Sequence, residues 1–353
     1  MVMADRPEVE TASAVETVGL LAGLGARVGW AAATAPVTYP WLRTGTPMRS
    51  LLGGFERRSL KELLTYSESL DPPQLRSVEK VIDTAAGVVL PVPWRRGEVT
   101  IESAELGGVP GEWVRPTDRS AVGTMLYLHG GGYVAAGPHM FRGFVTRLVH
   151  LTGVEAFVAD YRLAPEYPYP AALDDALAVY DELLKTTDRE ALLIAGDSAG
   201  GGLTAAVLAE LGTDHRPHPA GALLFSPEVD LTLSKRSIEA NAATDILPDH
   251  PDVESYLHGV DPTSAFVSPL YSDMSDYPPL LVVAGSSEMF RDQIEAFTEA
   301  ATAAGVPVEF LEESGMEHVF EVVSPWSHAT VDVMAHADEF CASALGRTSD
   351  PDR

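Results

Sequence analysis

From residue 98 onward, short apolar runs alternate with stretches of helical period, and this alternation confines the chain to a narrow set of folds. The runs at 125–128, 155–160, 191–196, 220–225, 280–284 and 306–311 are mostly apolar. Between and after them lie helical patterns at 170–184, 198–211, 290–304 and 324–345. Strands that are apolar throughout, separated by helices, require a mostly parallel sheet covered on both faces. Two earlier strands, 99–106 and 111–115, are joined by the turn Gly107-Gly108.

The residues before 98 do not share this pattern. One helical segment covers roughly 12–33. A second, at 50–70, carries Leu51, Leu52, Phe55, Leu60, Leu63, Leu64 and Leu70 near a 3.6-residue period. A third is expected after Asp71-Pro72-Pro73, where Asp can cap a helix and Pro can occupy its first turn. Leu90-Pro91-Val92-Pro93 reads as a linker, and the polar end at 347–353 as a frayed tail.

Charge excludes some function classes. Lys and Arg total 24 against 51 Asp and Glu, a formal net charge of −27, and such a field repels nucleic acid and anionic lipid. The single cysteine, Cys341, allows neither an intramolecular disulfide nor a Cys-based metal site. Nothing therefore marks an oxidising compartment, and a cytoplasmic location is expected. The apolar stretch 18–37 is interrupted by Arg27, contains Pro36 near its end, and follows the net-negative run Asp5, Glu8, Glu10 and Glu16. It fits neither a secretory signal nor a membrane span and reads as a packed or amphipathic helix.

Two motifs carry chemistry. Gly196-Asp197-Ser198-Ala199-Gly200 follows the apolar run Leu192-Leu193-Ile194-Ala195 and precedes a helix rich in Ala and Leu. A G-x-S-x-G between strand and helix is the setting of a serine nucleophile raised on a tight turn, at a helix N-terminus that favours an anion. The plain alternative is a Gly-Ser-Gly turn with Ser198 as a cap. His129-Gly130-Gly131-Gly132-Tyr133 follows the strand at 125–128. Three consecutive glycines cost folding entropy, so a merely structural loop would rarely use them; they let main-chain N–H groups approach a developing oxyanion. His129 itself reads as a brace for that loop.

Together these motifs resemble the bacterial hormone-sensitive-lipase-like family of esterases. The resemblance extends through Asp160-Tyr161-Arg162-Leu163-Ala164-Pro165-Glu166, through Ser226-Pro227 with Asp230-Leu231, and through Ser268-Pro269-Leu270-Tyr271. It covers about 98–345. It implies an α/β-hydrolase fold with a helical cap: 1–97 as cap region and linker, 98–347 as catalytic domain with a cap insertion at about 233–267, and 348–353 as tail. It implies Ser198 as nucleophile and His318, in Gly315-Met316-Glu317-His318-Val319-Phe320, as base. Gly131, Gly132 and Ala199 stand at the family's oxyanion-hole positions.

The acid position departs from the family pattern. Where the family has Asp-Pro-Leu, this chain reads Glu288-Met289-Phe290, aligned on the following Arg291-Asp292. Glu288 is the expected acid and Asp292, one helical turn on, the fallback. Glu can orient an imidazole as Asp does. Asp197 is expected to brace the nucleophile turn.

The resemblance implies short to medium acyl esters as substrates, no metal or organic cofactor, no nucleic-acid partner and a homodimer as one arrangement to test. The same triad serves deacetylation, lactone hydrolysis and acyl transfer, and a non-catalytic small-molecule-binding protein on this fold is the rival from another class. Trp30, Tyr39, Trp41, Phe55, Tyr66 and Tyr256 form either an aromatic lid wall or ordinary packing.

Overall fold

The computed structural model describes residues 10–38, 47–89 and 98–347. The linker at 90–93, Tyr39, Trp41 and the tail at 348–353 lie outside these residues, as do the side chains of Trp30 and Phe55.

Three helices come first: α1 (Ala14–Thr38), α2 (Pro47–Glu68) and α3 (Pro72–Val89). The start of α3 is closed reciprocally. Asp71 Oδ1 accepts the Gln74 N–H at 3.0 Å, and Gln74 Oε1 accepts that of Asp71 at 3.3 Å. Eight strands follow: β1 (Val99–Leu106), β2 (Val109–Pro116), β3 (Thr124–Leu128), β4 (Glu155–Ala159), β5 (Leu192–Asp197), β6 (Gly221–Phe225), β7 (Leu280–Gly285) and β8 (Val308–Glu313). They form one sheet in the order β1-β2-β4-β3-β5-β6-β7-β8. The β1–β2 and β2–β4 pairs are antiparallel and the rest parallel. This is the α/β-hydrolase fold.

Alternate residues of each central strand supply two cores. Leu126, Ile194, Leu224 and Val282 face α5 (Ala171–Leu183), α6 (Ala199–Thr213) and α9 (Arg291–Ala303). Their neighbours Tyr127, Leu193, Phe225 and Val283 face α4 (Pro138–Thr152) and α11 (His328–Ala344). The period-2 pleat thus buries both faces, which is why these strands read as unbroken apolar runs.

Several boundaries differ from the sequence reading, among them α1, α2 and β2 by a few residues. Helix α4 was not anticipated; Pro138 in its first turn and Gly153 in the left-handed conformation at its end define it. Strand β8 begins at Val308 rather than 306, because Pro307 has no N–H to give the ladder. The last helix is divided: α10 (Phe320–Val323) precedes α11, whose cap Ser327 accepts the N–H of Thr330 at 3.0 Å. The segment at 233–267 holds two short helices, α7 (Arg236–Ala240) and α8 (Glu254–Leu257). No helix among the described residues is long and apolar enough to cross a membrane.

Candidate active site

Ser198 stands at the end of β5, where the chain reverses into α6. Its backbone is forced to φ 52°, ψ −124°, a sparsely populated region that costs about 1–3 kcal/mol and persists only where the surroundings impose it. They do so here. A Cβ on Gly196 would lie 2.2 Å from the Gly200 carbonyl oxygen, and one on Gly200 would lie 2.1 Å from that of Leu128. The Ser198 N–H is held by the Phe225 carbonyl at 2.9 Å. Ala199 opens α6, so its N–H belongs to the first turn, which no helical carbonyl can satisfy.

His318 lies on the loop between β8 and α10. Its Nε2 is 2.8 Å from Ser198 Oγ, so residues 120 positions apart are brought into hydrogen-bond contact. Glu288, on the loop after β7, places Oε2 at 3.5 Å from His318 Nδ1. That separation is longer than a formed hydrogen bond, and Nδ1 has no other partner among the described residues. Asp292 does not join this group. Its carboxylate accepts the Ser237 N–H at 3.0 Å and meets Arg291 at 3.1 Å.

Burial governs the electrostatics. It pushes the Glu288 carboxyl up to about 8, with the nearby Ser226 side chain pulling it back, and His318 down to about 4, opposed by Asp245. Both shifts disfavour charge in a site where water is excluded. They leave the imidazole neutral, the state a base needs.

The glycine loop lies on the other side of Ser198. Gly131 has φ +126°, and a Cβ there would sit 2.0 Å from the Ala135 carbonyl oxygen, so only glycine fits. Gly131 and Gly132 line the same cavity as Ser198 and His318. Asp197 couples this loop to the turn that carries Ser198: its Oδ1 accepts the Gly130 N–H at 3.0 Å and the Tyr127 hydroxyl at 2.6 Å. Burial pushes its carboxyl up to about 7. The His129 ring stacks between Tyr161, at 4.4 Å, and Phe141, at 5.6 Å, and burial lowers it to about 4.

Several residues escaped the sequence reading. Asp245, on the 233–267 segment, accepts the N–H groups of His318 and Ile246 on Oδ1, at 2.9 and 2.7 Å, and that of Met289 on Oδ2 at 2.6 Å. Phe290 stands edge-on to the His318 ring at 5.0 Å. From α2, Arg57 pairs with Glu317 at 2.5 Å and donates to the Gly315 carbonyl at 3.2 Å. From α3, Arg76 donates to the carbonyls of Val134 at 2.5 Å and Ala164 at 2.7 Å, and pairs with Glu166 at 2.6 Å. Helices α2 and α3 thereby hold the His318 loop and the glycine loop. An Asp or Arg in a loop or helix gives no local signal for such contacts.

A cavity of about 390 Å³ opens onto Ser198. Leu60, Leu63 and Leu64 of α2, Leu75 and Val78 of α3, Ile246 and Leu247, and Val319, Val322 and Val323 wall it. Tyr66 and Tyr256 do not line it: Tyr66 donates to the Leu20 carbonyl and Tyr256 stacks on Tyr133. Both serve packing. No group of three or more His, Cys, Asp or Glu able to hold a metal occurs among the described residues.

The sheet order and the strand-turn-helix seat of Ser198 define an α/β-hydrolase, and residues 125–322 match the model of a family described as having the alpha/beta hydrolase fold. An acetyl-hydrolase of Streptomyces hygroscopicus is 38% identical over 245 residues, 68% of this chain and 80% of the relative. An esterase of Acinetobacter venetianus is 33% identical over 251 residues, 69% and 82% of the two chains. The crystal structure of an esterase from the bacterial hormone-sensitive lipase family superposes with TM-score 0.74 at 31% identity, covering 82% of this chain and 98% of that one. The chain belongs to this bacterial hormone-sensitive-lipase-like family of α/β-hydrolases, a group of carboxylic ester hydrolases.

Proposed function

We propose that the chain is a serine carboxylesterase that hydrolyses short to medium acyl esters through Ser198, His318 and Glu288. The observation that carries this reading is the 2.8 Å contact between His318 Nε2 and Ser198 Oγ at the floor of an apolar cavity. With Glu288 ionised, Nδ1 holds the ring proton and Nε2 presents its lone pair to the serine.

His318 then takes the Ser198 proton as Oγ attacks the ester carbonyl. The carbonyl oxygen becomes an oxyanion facing the N–H groups of Gly131, Gly132 and Ala199. Collapse breaks the C–O bond, His318 returns the proton to the departing alkoxide, and the alcohol leaves an acyl-Ser198. Water, deprotonated by His318, attacks this acyl group; Ser198 leaves with the proton and the acid is released. Glu288 stabilises the imidazolium formed in each half. Helices α2 and α3 and the 233–267 segment act as the cap, and the cavity they close suits a modest acyl chain rather than a long triglyceride.

Hydrolysis of p-nitrophenyl esters from about two to twelve acyl carbons, by the native chain beside Ser198→Ala, tests this reading. Turnover of short esters that is lost in Ser198→Ala supports it. No turnover, with Ser198 inert to an organophosphate, would overturn it in favour of a binding protein on the same fold.

A further inference from the structure

The titratable groups on the cavity wall, apart from His318, are all acids: Glu68, Glu79, Asp197, Glu228 and Asp252, with no Lys or Arg among the described lining residues. Four of these carboxylates are engaged. Tyr127 and Gly130 donate to Asp197, Arg76 to Glu79, the Asp252 N–H to Glu68, and Ser255 to Asp252. Glu228 is different. It is 3% exposed, and no donor among the described residues reaches its carboxyl. Its place beside the nucleophile is fixed, because its own N–H donates to the Ser198 carbonyl at 3.0 Å. Tyr133 and Tyr256, stacked at 3.8 Å, lie close enough that its charge adds to the burial that raises both hydroxyls. A buried carboxyl without a partner is costly, and an apolar side chain would fill the same wall more stably. A ligand that supplies the missing partner explains why an acid stands there.

We propose that Glu228 forms a cation-accepting subsite and that the preferred esters carry a protonated amine, in the acyl or the alcohol part, which pairs with Glu228 while the ester carbonyl lies at Ser198. The proposal rests on the serine-esterase reading and names its substrate class. The acidic wall offers nothing to an anionic substituent, and the net charge of −27 raises the local concentration of cations. Burial pushes the Glu228 carboxyl up to about 8, so the empty subsite is neutral near pH 7 and an arriving ammonium ionises it. Part of the Coulomb gain then repays desolvation, so the subsite acts more on selectivity than on affinity.

Isosteric ester pairs test it. On the alcohol side, 2-(dimethylamino)ethyl butyrate is compared with 3-methylbutyl butyrate; on the acyl side, phenyl 4-(dimethylamino)butanoate with phenyl 5-methylhexanoate. Hydrolysis is followed by pH-stat near pH 7, where the amine is protonated. We expect the native chain to favour the amine member of one pair by about tenfold in kcat/KM, and Glu228→Gln to bring that ratio towards one. Turnover of the neutral esters with a ratio near one in both pairs overturns the subsite and leaves the esterase reading intact. No turnover of any ester removes the esterase reading. The subsite is then decided by whether N,N-dimethylpropylammonium raises the melting temperature of the native chain and not that of Glu228→Gln. The same measurement, as competitive inhibition of 3-methylbutyl butyrate hydrolysis, decides the matter on the native chain if the variant fails to fold.

Discussion

Asp245 Oδ1 accepts the main-chain N–H of His318 at 2.9 Å, joining the 233–267 segment to the loop between β8 and α10. Its other oxygen holds Met289, the neighbour of Glu288. One carboxylate therefore sets the spacing of the Glu288 and His318 loops. Asp245→Ala leaves three buried N–H groups without an acceptor, each costing about 1–3 kcal/mol. We expect a lower melting temperature and at least about a tenfold fall in kcat/KM for a short p-nitrophenyl ester. Slower labelling of Ser198 by an organophosphate would separate a misplaced base from simple loss of stability. An unchanged labelling rate in the folded variant would count against a positioning role.

The two acids near the base should respond differently to substitution. Glu288→Gln keeps the shape but removes the charge that, in the proposed mechanism, stabilises imidazolium and selects the Nδ1–H tautomer. A loss of about a thousandfold or more in kcat is expected. Asp292→Asn disturbs only the contacts to Ser237 and Arg291, and kcat should stay within about tenfold of native. If Asp292→Asn were the inactive member, the assignment of the acid would be reversed.

Activity should rise with pH through the titration of Glu288. In the proposed mechanism the active form has Glu288 ionised and His318 neutral. Burial moves the first up to about 8 and the second down to about 4, so protonation of Glu288 is the event met first as pH falls from 9. The acid limb of kcat/KM therefore lies on the alkaline side of an unperturbed histidine. A pH-rate profile of the native chain checks this; a limb near 4 would refute it.

The glycine loop depends on a residue from outside the sheet. Arg76 spans the carbonyls of Val134 and Ala164 and the carboxylate of Glu166, a planar fork that a lysine cannot reproduce. Arg76→Lys should lower kcat by about tenfold by loosening Gly131 and Gly132, with KM less affected. Parallel losses in kcat for ester and in Ser198 labelling, measured well below a somewhat lowered melting temperature, are the expected pattern.

Much of this site is written locally in the chain. The strained turn at Ser198 needs glycine on both sides, and the loop at 129–133 needs glycine at its crowded positions, so both appear as short motifs. The sheet is legible because both its faces are buried. Helix α4 was equally available, from Gly137-Pro138 at its start and Gly153 at its end, but its apolar residues follow the glycine loop without a pause. Asp245, Arg57, Arg76 and Glu228 are of another kind. Each acts on residues distant in sequence through a contact that exists only once the chain has folded, and no spacing or composition announces it.

Glu321 gives a stability prediction independent of the chemistry. It is buried behind the site on α10, and neither carboxylate oxygen has a partner among the described residues. Burial, with Glu288, Asp197 and Glu317 nearby, pushes its carboxyl well above 4.5. A folded-state value above the unfolded one means that the native chain binds the extra proton. Stability is then full below the unfolded value and is lost as pH rises through the folded one. Glu321→Met removes the penalty and fills the same space. Its melting temperature should exceed that of the native chain by about 3 °C or more at pH 9, and by less at pH 5. Equal differences at the two pH values would mean that packing, rather than ionisation, sets the cost of this residue.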